Sequence, residues 1–365
     1  MKMISNIRSR LVRKLNTARD NHLRKDRMKV AKRTLIIKLD NLSPLSDTQR
    51  QEILDFWKPY RDVSGEMQWF EFYNWCCDGK ADIKRYIPDS IHYAEVDFFF
   101  TDPRRSYELD DKNLYDMFFH DVRMPRTVMR KCKGQLLDRD YHVITMDQAV
   151  ELCRQEGYVI SKPARNTEGG KGIHFIDFSK DGAQEELKQC LLFPHDLIVQ
   201  EVIKQHDAIN KLYDQSINSL RIMSIMLDGE VHIVSAVLRM GRDGAKVDNT
   251  SHGGLAVGIT PEGKLREVAF DKTGKKYLQH PQGAVFKDYP LVGYDRCEAL
   301  IRHLAGRLAS TTSLVSWDLA IDPDGEPVIV EVNLTFGGVN IHQMCNGPIF
   351  GDMTEEILSR VYLGR

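Results

Sequence analysis

The 365-residue chain has almost no net charge, no paired-cysteine motif and no long apolar run. Its 51 basic and 52 acidic residues leave a formal charge of -1, which argues against a nucleic-acid partner for the chain as a whole. The seven cysteines form no CxxC and no metal-ligand spacing, so we expect reduced thiols in a cytoplasmic protein. No stretch approaches the ~20 apolar residues of a membrane helix, and arginines interrupt any signal-peptide-like region near the N-terminus.

The near-zero net charge is the sum of two oppositely charged parts. Residues 1–35 contain twelve Lys or Arg and two Asp, whereas the rest of the chain contains 39 basic and 50 acidic residues. Ile4, Ile7, Leu11 and Leu15 recur at helical spacing among these basic residues, which predicts a basic amphipathic leader helix. Three interpretations stay open: the apolar stripe packs on the protein, the helix contacts an anionic membrane surface, or it binds nucleic acid.

Changes in composition predict three further segments. Residues 36–105 are mainly helical and rich in aromatics without interleaved Lys or Arg, which favours the core of a small N-terminal domain over a stacking platform for single strands. Further along, strands, helices and hairpin turns such as Asp324-Gly325 alternate. This pattern predicts an α+β architecture and not a doubly wound sheet. We place the two subdomains at 106–200 and 201–365.

The hairpin that turns at Asp324 and Gly325 gives the strongest indication of chemistry. A tight turn there places Asp318 opposite Glu331, with Asn333 two residues further along the same face. Like charges that face each other at about 5 Å between Cβ atoms destabilise a strand pair, whereas two carboxylates and an amide oxygen suit Mg²⁺. The alternative is an ordinary surface pair. The opposite face is predicted to be core and comprises Trp317, Leu319, Val330 and Val332.

A glycine-rich loop, SKPARNTEGGKGIHF at 161–174, is the second candidate site. One lysine ends an apolar strand, and three glycines with a second lysine precede the next strand, so backbone N–H groups and two ammonium groups are offered to a polyphosphate. The loop lacks GxxxxGK[ST], which excludes a Walker loop. An ordinary flexible turn is the alternative. The residues concerned are Lys162, Gly169, Gly170, Lys171 and Gly172.

Two arginines and a polar loop complete the candidate residues. Arg221 and Arg239 lie in or beside apolar strands, where a charge is costly unless it meets an anion. Phosphate or carboxylate is the natural partner of a guanidinium, and a structural ion pair is the alternative. The segment VDNTSHGGLAV predicts a loop beside the acceptor pocket, with His252 as a base for an amine or as a hydrogen-bonding residue. The candidate residues in this loop are Asn249, Ser251, His252 and Gly253.

The order of these features from about 110 to 340 resembles the ATP-grasp superfamily. The resemblance implies that Lys112 and Lys162 hold the α- and β-phosphates of ATP, and that the glycine loop folds over the triphosphate. It also implies that Glu201 and Ile203 belong to the hinge that receives the adenine. The strings YIPDSIHYAE, DDKNLYDMFF, QSINSLRIMSI, LRMGRDGAKVDNTSHGG and WDLAIDPDGEPVIVEVN resemble, more narrowly, the sugar-transfer-associated branch.

The same resemblance assigns the remaining residues. Asp318, Glu331 and Asn333 would bind Mg²⁺, with Mn²⁺ as a substitute. Arg239, assisted by Lys171, would contact the γ-phosphate. Arg221 would contact either the same γ-phosphate or the substrate carboxylate.

The predicted fold is therefore an ATP-grasp fold, two α/β subdomains around the nucleotide, preceded by a small helical domain. The predicted activity is that of an ATP- and Mg²⁺-dependent carboxylate-amine ligase that forms an acyl phosphate in cell-surface polysaccharide or sugar modification. A kinase for a sugar hydroxyl and an inactive nucleotide-binding scaffold are the alternatives. The expected partners are small carboxylates and amines derived from sugars or amino acids, without nucleic acid. The expected location is cytoplasmic, with peripheral contact at the inner membrane face through the basic helix.

Overall fold

The computed structural model describes residues 2–165 and 172–364, with side chains from residue 19 onward except at 107 and 108. These residues form two compact units. The first comprises Met1–Asp102, Thr273–Lys275 and Gly338–Arg365, and the second comprises Pro103–Lys272 and Lys276–Gly337. The segment boundaries predicted from composition remain predictions.

Helices occur in both units, and two of them begin at a capping box. The α-helices are α1 (Lys2–Ile36), α2 (Asp47–Trp57), α3 (Met67–Cys77), α4 (Asp89–Ile91), α5 (Asp97–Phe100), α6 (Pro103–Leu109), α7 (Tyr115–Phe118), α8 (Met146–Glu156), α9 (Ala183–Leu192), α10 (Asp207–Asn210), α11 (Tyr294–Leu304), α12 (Val339–Asn346) and α13 (Thr354–Leu363). Ser46 and Thr145 each form a capping box with a glutamine three residues later, which fixes the starts of α2 and α8. None of the described helices combines the length and apolarity that crossing a membrane requires.

All the described strands lie in the second unit. They are β1 (Thr127–Cys132), β2 (Gln135–Asp138), β3 (Tyr158–Pro163), β4 (His174–Asp177), β5 (Leu197–Glu201), β6 (Leu220–Leu227), β7 (Glu230–Met240), β8 (Leu255–Ile259), β9 (Leu265–Phe270), β10 (Lys276–Tyr277), β11 (Leu314–Ile321) and β12 (Pro327–Asn333). Each pairing between these strands is antiparallel. This arrangement confirms the predicted α+β architecture.

The first unit is helical and has an aromatic core, as predicted. Tyr73 and Tyr86 stack with their ring centroids 4.7 Å apart, and both side chains are fully buried. Burial of such rings stabilises a small helical unit because each removes a large apolar area from water. Other buried aromatic side chains of this core are Trp57, Trp69, Phe70 and Phe72. The aromatics are therefore packing residues and not an exposed stacking platform.

The C-terminal half of α1 belongs to the core of the first unit. Ala31 is fully buried, and the buried Arg27 donates a hydrogen bond from Nη1 to the carbonyl oxygen of Tyr93 at 3.2 Å. Lys25, Lys29 and Lys32 on the same helix stay exposed. The predicted stripe at residues 4–15 lies outside the described side chains.

The second unit contains two antiparallel sheets, counted over the described residues. The five-stranded sheet has the order β2-β1-β5-β3-β4, and its apolar core lies under α8 and α9. The seven-stranded sheet has the order β10-β9-β8-β7-β6-β11-β12 and shares its core with α11. Trp317 is fully buried in that core and donates from its indole nitrogen to Ser224 Oγ at 2.9 Å.

The cysteines are free thiols, as the spacing predicts, and none is exposed. Cys153 and Cys297 are buried, and desolvation raises the pKa of each thiol to about 12. A thiol that stays protonated at neutral pH is a poor nucleophile and a poor metal ligand. The cysteines therefore contribute packing.

Candidate active site

The hairpin of β11 and β12 places Asp318 opposite Glu331, as predicted, but by a route that the sequence did not indicate. Next to the turn, Ile321 pairs with Pro327, a register that would put Asp318 opposite Val330. A bulge inserts Val330 as an extra residue and shifts the register by one, so that Asp318 meets Glu331. The bulge is what brings the two carboxylates face to face.

The same bulge corrects one prediction about the core. Val330 does not join the apolar face, since it is only half-buried and lines a cavity. Ile329 takes the core position in its place. The reason is that an extra residue interrupts the period-two alternation of side chains along a strand. Trp317, Leu319 and Val332 are in the core, as predicted.

Asp318 is a buried carboxylate surrounded by cationic donors. Arg221 lies directly opposite it on β6 and donates from Nε at 2.7 Å to Oδ1 and from Nη2 at 2.6 Å to Oδ2. Arg239 adds a contact from Nη2 to Oδ2 at 3.2 Å. Burial alone would raise the pKa of Asp318, but the two guanidinium groups overcome that effect and lower it to about 2. Asp318 is therefore an anion throughout the physiological range.

Arg239 is held by Ser219, which sequence reasoning did not assign to the site, and by Asp248, which belongs to the loop predicted beside the acceptor pocket. The guanidinium donates from Nε at 3.0 Å and from Nη2 at 2.7 Å to Ser219 Oγ. Ser219 donates its hydroxyl and its backbone N–H to Asp248 Oδ2, and Asp248 also forms an ion pair with Arg239 at 3.4 Å. One hydroxyl thus orients a buried arginine and links it to the loop after β7.

Lys112 and Lys162 form the basic side of the site, and both are buried. Lys112 Nζ lies 2.6 Å from Glu331 Oε1, and its backbone N–H donates to the carbonyl of Ala164 at 2.9 Å. Burial and the nearby charge of Lys112 lower the pKa of Lys162 to about 8, while Glu331 acts in the opposite direction. Burial likewise raises the pKa of Asp110 to about 6, although Lys112 opposes that shift. These side chains form a tightly coupled cluster of charges.

A small cavity, partly open to solvent, extends from the two lysines between the five-stranded sheet and β12. Its walls are partly apolar, with Met124, Ile329 and Val330 among the lining residues. Lys112 and Lys162 also line it. Two ammonium groups beside a partly apolar wall suit a ligand that carries an anionic group.

Glu201 ends β5, and its side chain contacts two arginines. Its Oε1 accepts a hydrogen bond from the backbone N–H of Arg126 at 3.0 Å and lies 3.1 Å from Arg123 Nη2. The backbone N–H of Glu201 donates to the carbonyl of Arg126 at 3.0 Å. Ile203 follows as a half-buried residue. The Glu201 carboxylate therefore stabilises the end of β5. A contact with adenine at the predicted hinge would have to come from neighbouring atoms.

The predicted acceptor loop forms a short 3-10 turn over Thr250–His252 with contacts of its own. Asn249 Oδ1 accepts from the backbone N–H of Ser251 at 2.8 Å and from its hydroxyl at 2.7 Å. His252 Nδ1 lies 3.2 Å from Ser251 Oγ, and Gly253 has φ +99°. The described contacts of these side chains are local, and Asp248 is the residue that joins the loop to Arg239.

Part of the predicted phosphate loop lies outside the described residues. This applies to Gly169, Gly170 and Lys171, whereas Gly172 is described with φ +75°. The structure thus brings Asp318, Arg221 and Arg239 together, and brings Lys112 and Lys162 to Glu331. It leaves the roles of all these residues as predictions.

Comparison with known proteins identifies the family. The family model described as sugar-transfer associated ATP-grasp matches residues 97–357, which is more than half of the chain. The chain belongs to this family. Membership confirms the ATP-grasp fold that the motifs predicted. No curated protein sequence matches the chain.

Solved structures show weak likeness. D-alanyl-alanine synthetase A from Vibrio cholerae aligns at 14% identity and TM-score 0.44, covering 73% of this chain and 68% of that one. A D-Ala:D-Ser ligase from Enterococcus faecalis aligns at 13% identity and TM-score 0.43, covering 72% and 63%. A D-cycloserine synthetase aligns at 13% identity and TM-score 0.41, covering 80% of each chain. The chain thus spans about two thirds of the first two proteins, and likeness at this level does not bear on its activity.

Proposed function

We propose that this ATP-grasp protein is an ATP- and Mg²⁺-dependent ligase that joins a carboxylate to an amine through an acyl phosphate. The observation that carries the proposal is the pairing of Asp318 and Glu331 across the hairpin, each in contact with a cationic side chain, beside a cavity with two buried lysines. This arrangement supplies anions for a metal and cations for phosphates within one site.

The donor set fits a hard divalent cation. Asp318 and Glu331 offer carboxylate oxygens, and Asn333 donates its amide N–H to Ser316 O at 3.3 Å and to Asp318 Oδ2 at 3.4 Å, which leaves its amide oxygen as the third donor. Among the described residues, no group of three or more His, Cys, Asp or Glu side chains competes as a metal site. Mg²⁺, when bound, would neutralise charge on the phosphates, and Mn²⁺ has similar ligand requirements.

The protein's own residues would act by positioning and charge. Lys112 and Lys162 would bind phosphate oxygens, and Arg239, aligned by Ser219, would face the γ-phosphate together with Lys171. Arg221 would bind the same anion or the substrate carboxylate. The carboxylate oxygen attacks the γ-phosphorus and ADP leaves; an amine then attacks the carbonyl, and phosphate and a proton are released. No side-chain nucleophile is required, because preorganised charges lower the barrier for such transfers.

The substrate context and location are part of the proposal. The family description associates its members with sugar transfer. On that basis the proposed substrates are a carboxylate and an amine derived from sugars or amino acids, and the proposed role is in cell-surface polysaccharide or sugar modification. The glycine loop, Glu201 and Ile203 would complete the nucleotide site, and Asn249, Ser251, His252 and Gly253 would border the acceptor. Exposed Lys25, Lys29, Lys32 and Arg33 on α1 support contact with an anionic membrane surface by a cytoplasmic protein.

The test is phosphate release from ATP over a panel of sugar acids and amino acids, supplied singly and in pairs. We expect release that requires both a carboxylate and an amine, with an amide product by mass spectrometry. Asp318→Asn should lower turnover at least tenfold, whereas Asp324→Asn at the exposed turn of the same hairpin should not change it. A phosphorylated sugar formed without any amine would support the kinase instead, and full in vivo function of the Asp318→Ala, Glu331→Ala variant would support the scaffold.

A further inference from the structure

The tyrosine that begins α7 is bonded to the main chain of β12. The hydroxyl of Tyr115 donates to the backbone carbonyl oxygen of Val332 at 3.2 Å and accepts from the backbone N–H of the same residue at 3.3 Å. A phenolic hydroxyl can serve as donor and acceptor at once. Tyr115 thus holds β12 at the residue between Glu331 and Asn333, two of the three residues assigned to a metal.

The bulge in β12 accounts for the direction of these backbone groups. Val332 offers its N–H and its carbonyl oxygen to Tyr115, on the side away from β11. The N–H of Ile329 also turns away from β11 and donates to the carbonyl oxygen of Arg123 at 3.0 Å. Backbone groups alternate in direction along a strand, so outward N–H groups three residues apart require one extra residue between them. Val330 is that residue.

β12 is an edge strand of the seven-stranded sheet, and β11 is its only strand partner in the described part of the chain. A bulged edge strand is held less firmly than a central strand because one ladder of hydrogen bonds is missing. The hydroxyl of Tyr115 replaces part of that ladder. Side chains alternate along the strand, so Glu331 and Asn333 both lie on the face opposite to the buried Val332. The placement of the Val332 backbone therefore fixes the origin of both side chains.

The segment that carries Tyr115 contacts β12 at a second point. Lys112 begins the 3-10 turn that leads directly into α7, and its Nζ lies 2.6 Å from Glu331 Oε1. Tyr115 is 5% exposed, and its ring packs edge-on against Phe119 with the centroids 5.9 Å apart. Burial and the negative charge of Glu331 raise the pKa of Tyr115 well above its usual value, so the hydroxyl keeps the proton that it donates.

We propose that Tyr115 is a positioning residue that sets Glu331 and Asn333 for the metal by holding the bulged edge strand at Val332. This inference rests on the proposed function, because it assumes that these residues bind Mg²⁺. Tyr115 needs no contact with metal or substrate for this role. Because Lys112 lies on the same segment, the tyrosine also keeps the ammonium assigned to phosphate and the donors assigned to the metal at a constant separation.

The test variant is Tyr115→Phe, which keeps the buried ring and removes only the hydroxyl. Binding of Mn²⁺ to the intact protein is measured by electron paramagnetic resonance of the free ion, with and without ADP. We expect the affinity for Mn²⁺ to fall about three- to tenfold, as for the loss of one hydrogen bond. Hydrogen exchange in the metal-free protein is the second measurement. The peptide that contains β12 should exchange faster in the variant, since the N–H of Val332 loses its acceptor.

Tyr289→Phe is the matched control. The hydroxyl of Tyr289 donates to the backbone carbonyl oxygen of Ala208 at 2.6 Å, a bond to α10 instead of β12, and its side chain packs against the same core as Tyr115. Both variants lose one hydroxyl that bonds the main chain, so a merely structural role would lower the stability of each and leave Mn²⁺ affinity unchanged. We expect Tyr289→Phe to keep the wild-type affinity and the wild-type exchange of β12.

The outcomes separate this inference from the proposed function. If the wild-type protein binds no Mn²⁺ with or without ADP, the metal site of the proposed function fails, and the role of Tyr115 fails with it. If the wild type binds Mn²⁺ and Tyr115→Phe keeps that affinity, only the role of Tyr115 fails. Weaker binding without faster exchange of β12, or weaker binding by both variants, would also overturn it. Faster exchange and weaker binding confined to Tyr115→Phe support the assignment.

Discussion

Arg221 and Asp318 lie directly opposite each other on β6 and β11 and form a bidentate ion pair with contacts of 2.7 and 2.6 Å, in which the carboxylate is buried and the guanidinium is largely buried. The carboxylate assigned to a metal is therefore also the anchor of an arginine assigned to an anion. Asp318 bonds Arg239 as well, so one carboxylate organises both guanidinium groups. The positions of the two arginines assigned to anions therefore depend on the charge of the carboxylate assigned to a metal.

The first prediction concerns the stability of this pair. Arg221→Met should lower the free energy of unfolding by about 3–5 kcal/mol, because it leaves the buried Asp318 carboxylate without its main counter-charge. Asp318→Asn added to that variant should recover part of the loss, since the buried carboxylate that keeps only its contact with Arg239 is then neutral. Urea denaturation followed by circular dichroism measures both effects.

An exposed ion pair provides the control. Arg296 and Glu326 pair near the surface, at 42% and 53% side-chain exposure. Arg296→Met should cost at most about 1 kcal/mol, since water screens the charge that remains. Similar losses for the buried and exposed variants would contradict the importance of the buried pair.

The second prediction concerns Ser219, which positions Arg239 and reaches Asp248. Ser219→Ala removes the acceptor for two N–H groups of the arginine and the donor to the carboxylate. We expect a loss of about 1–3 kcal/mol in the free energy of unfolding. A double-mutant cycle with Asp248→Asn should give a coupling energy of about 0.5–3 kcal/mol, whereas independent residues would give none.

Ser251→Ala is the control for Ser219→Ala. It is exposed, and its hydroxyl bonds only to neighbouring residues of its loop in the described contacts. Ser251→Ala should stay within about 0.5 kcal/mol of the wild type. If Ser219→Ala is as mild as this control, the hydroxyl does not hold the arginine.

The third prediction concerns the pH dependence of nucleotide binding. Burial and the charge of Lys112 lower the pKa of Lys162 to about 8, so Lys162 loses its positive charge as the pH rises through that value. A neutral lysine attracts phosphate less, and affinity for ATP should therefore fall between pH 7 and 9.5. Bound phosphate favours the charged form, which raises the pKa of Lys162 in the complex and extends the decline above pH 8.

Substitution of Lys162 by arginine tests whether the loss of its charge causes the pH dependence. Lys162→Arg keeps its charge over the whole range, so its affinity should vary much less with pH. Lys287→Arg, at an exposed lysine, should keep the wild-type profile. Binding is measured by calorimetry at constant ionic strength, and identical profiles for the wild type and Lys162→Arg would contradict the assignment.

The parts of the fold that could be predicted depend on short-range rules. The caps at Ser46 and Thr145 follow from side chains that bond the first turn of their own helix. The strand Leu197–Glu201 also lies where its apolar run predicts it. The residue pattern over 111–120 also predicts a helix, but the chain forms a 3-10 turn there, followed by the short α7. Asp111 accepts a hydrogen bond from the backbone N–H of Asn113, which tightens the first turn.

The parts that could not be predicted depend on contacts between distant residues. The facing of Asp318 and Glu331 could be predicted from the turn, whereas the bulge at Val330 could not, because nothing in its side chain indicates an extra residue. Ser219 meets Asp248 only because β7 returns beside β6.

The last prediction concerns the basic face of α1. Lys25, Lys29, Lys32 and Arg33 are exposed, whereas Arg27 and Ala31 are buried in the first unit, so deletion of residues 1–33 would also damage packing. Substitution of the four exposed basic residues by Gln is the cleaner change. Each basic residue near an anionic surface contributes about 1 kcal/mol, so co-sedimentation with phosphatidylserine vesicles should fall at least tenfold.

The matched control removes the same charge from exposed lysines elsewhere, Lys133, Lys180, Lys264 and Lys287. That variant should sediment like the wild type, because an anionic surface attracts a local patch more strongly than dispersed charges within a Debye length of about 8 Å. Binding of the wild type should also weaken with salt and on zwitterionic vesicles. Equal sedimentation of both variants, with turnover of small substrates preserved, would mean that α1 serves only the packing of the first unit.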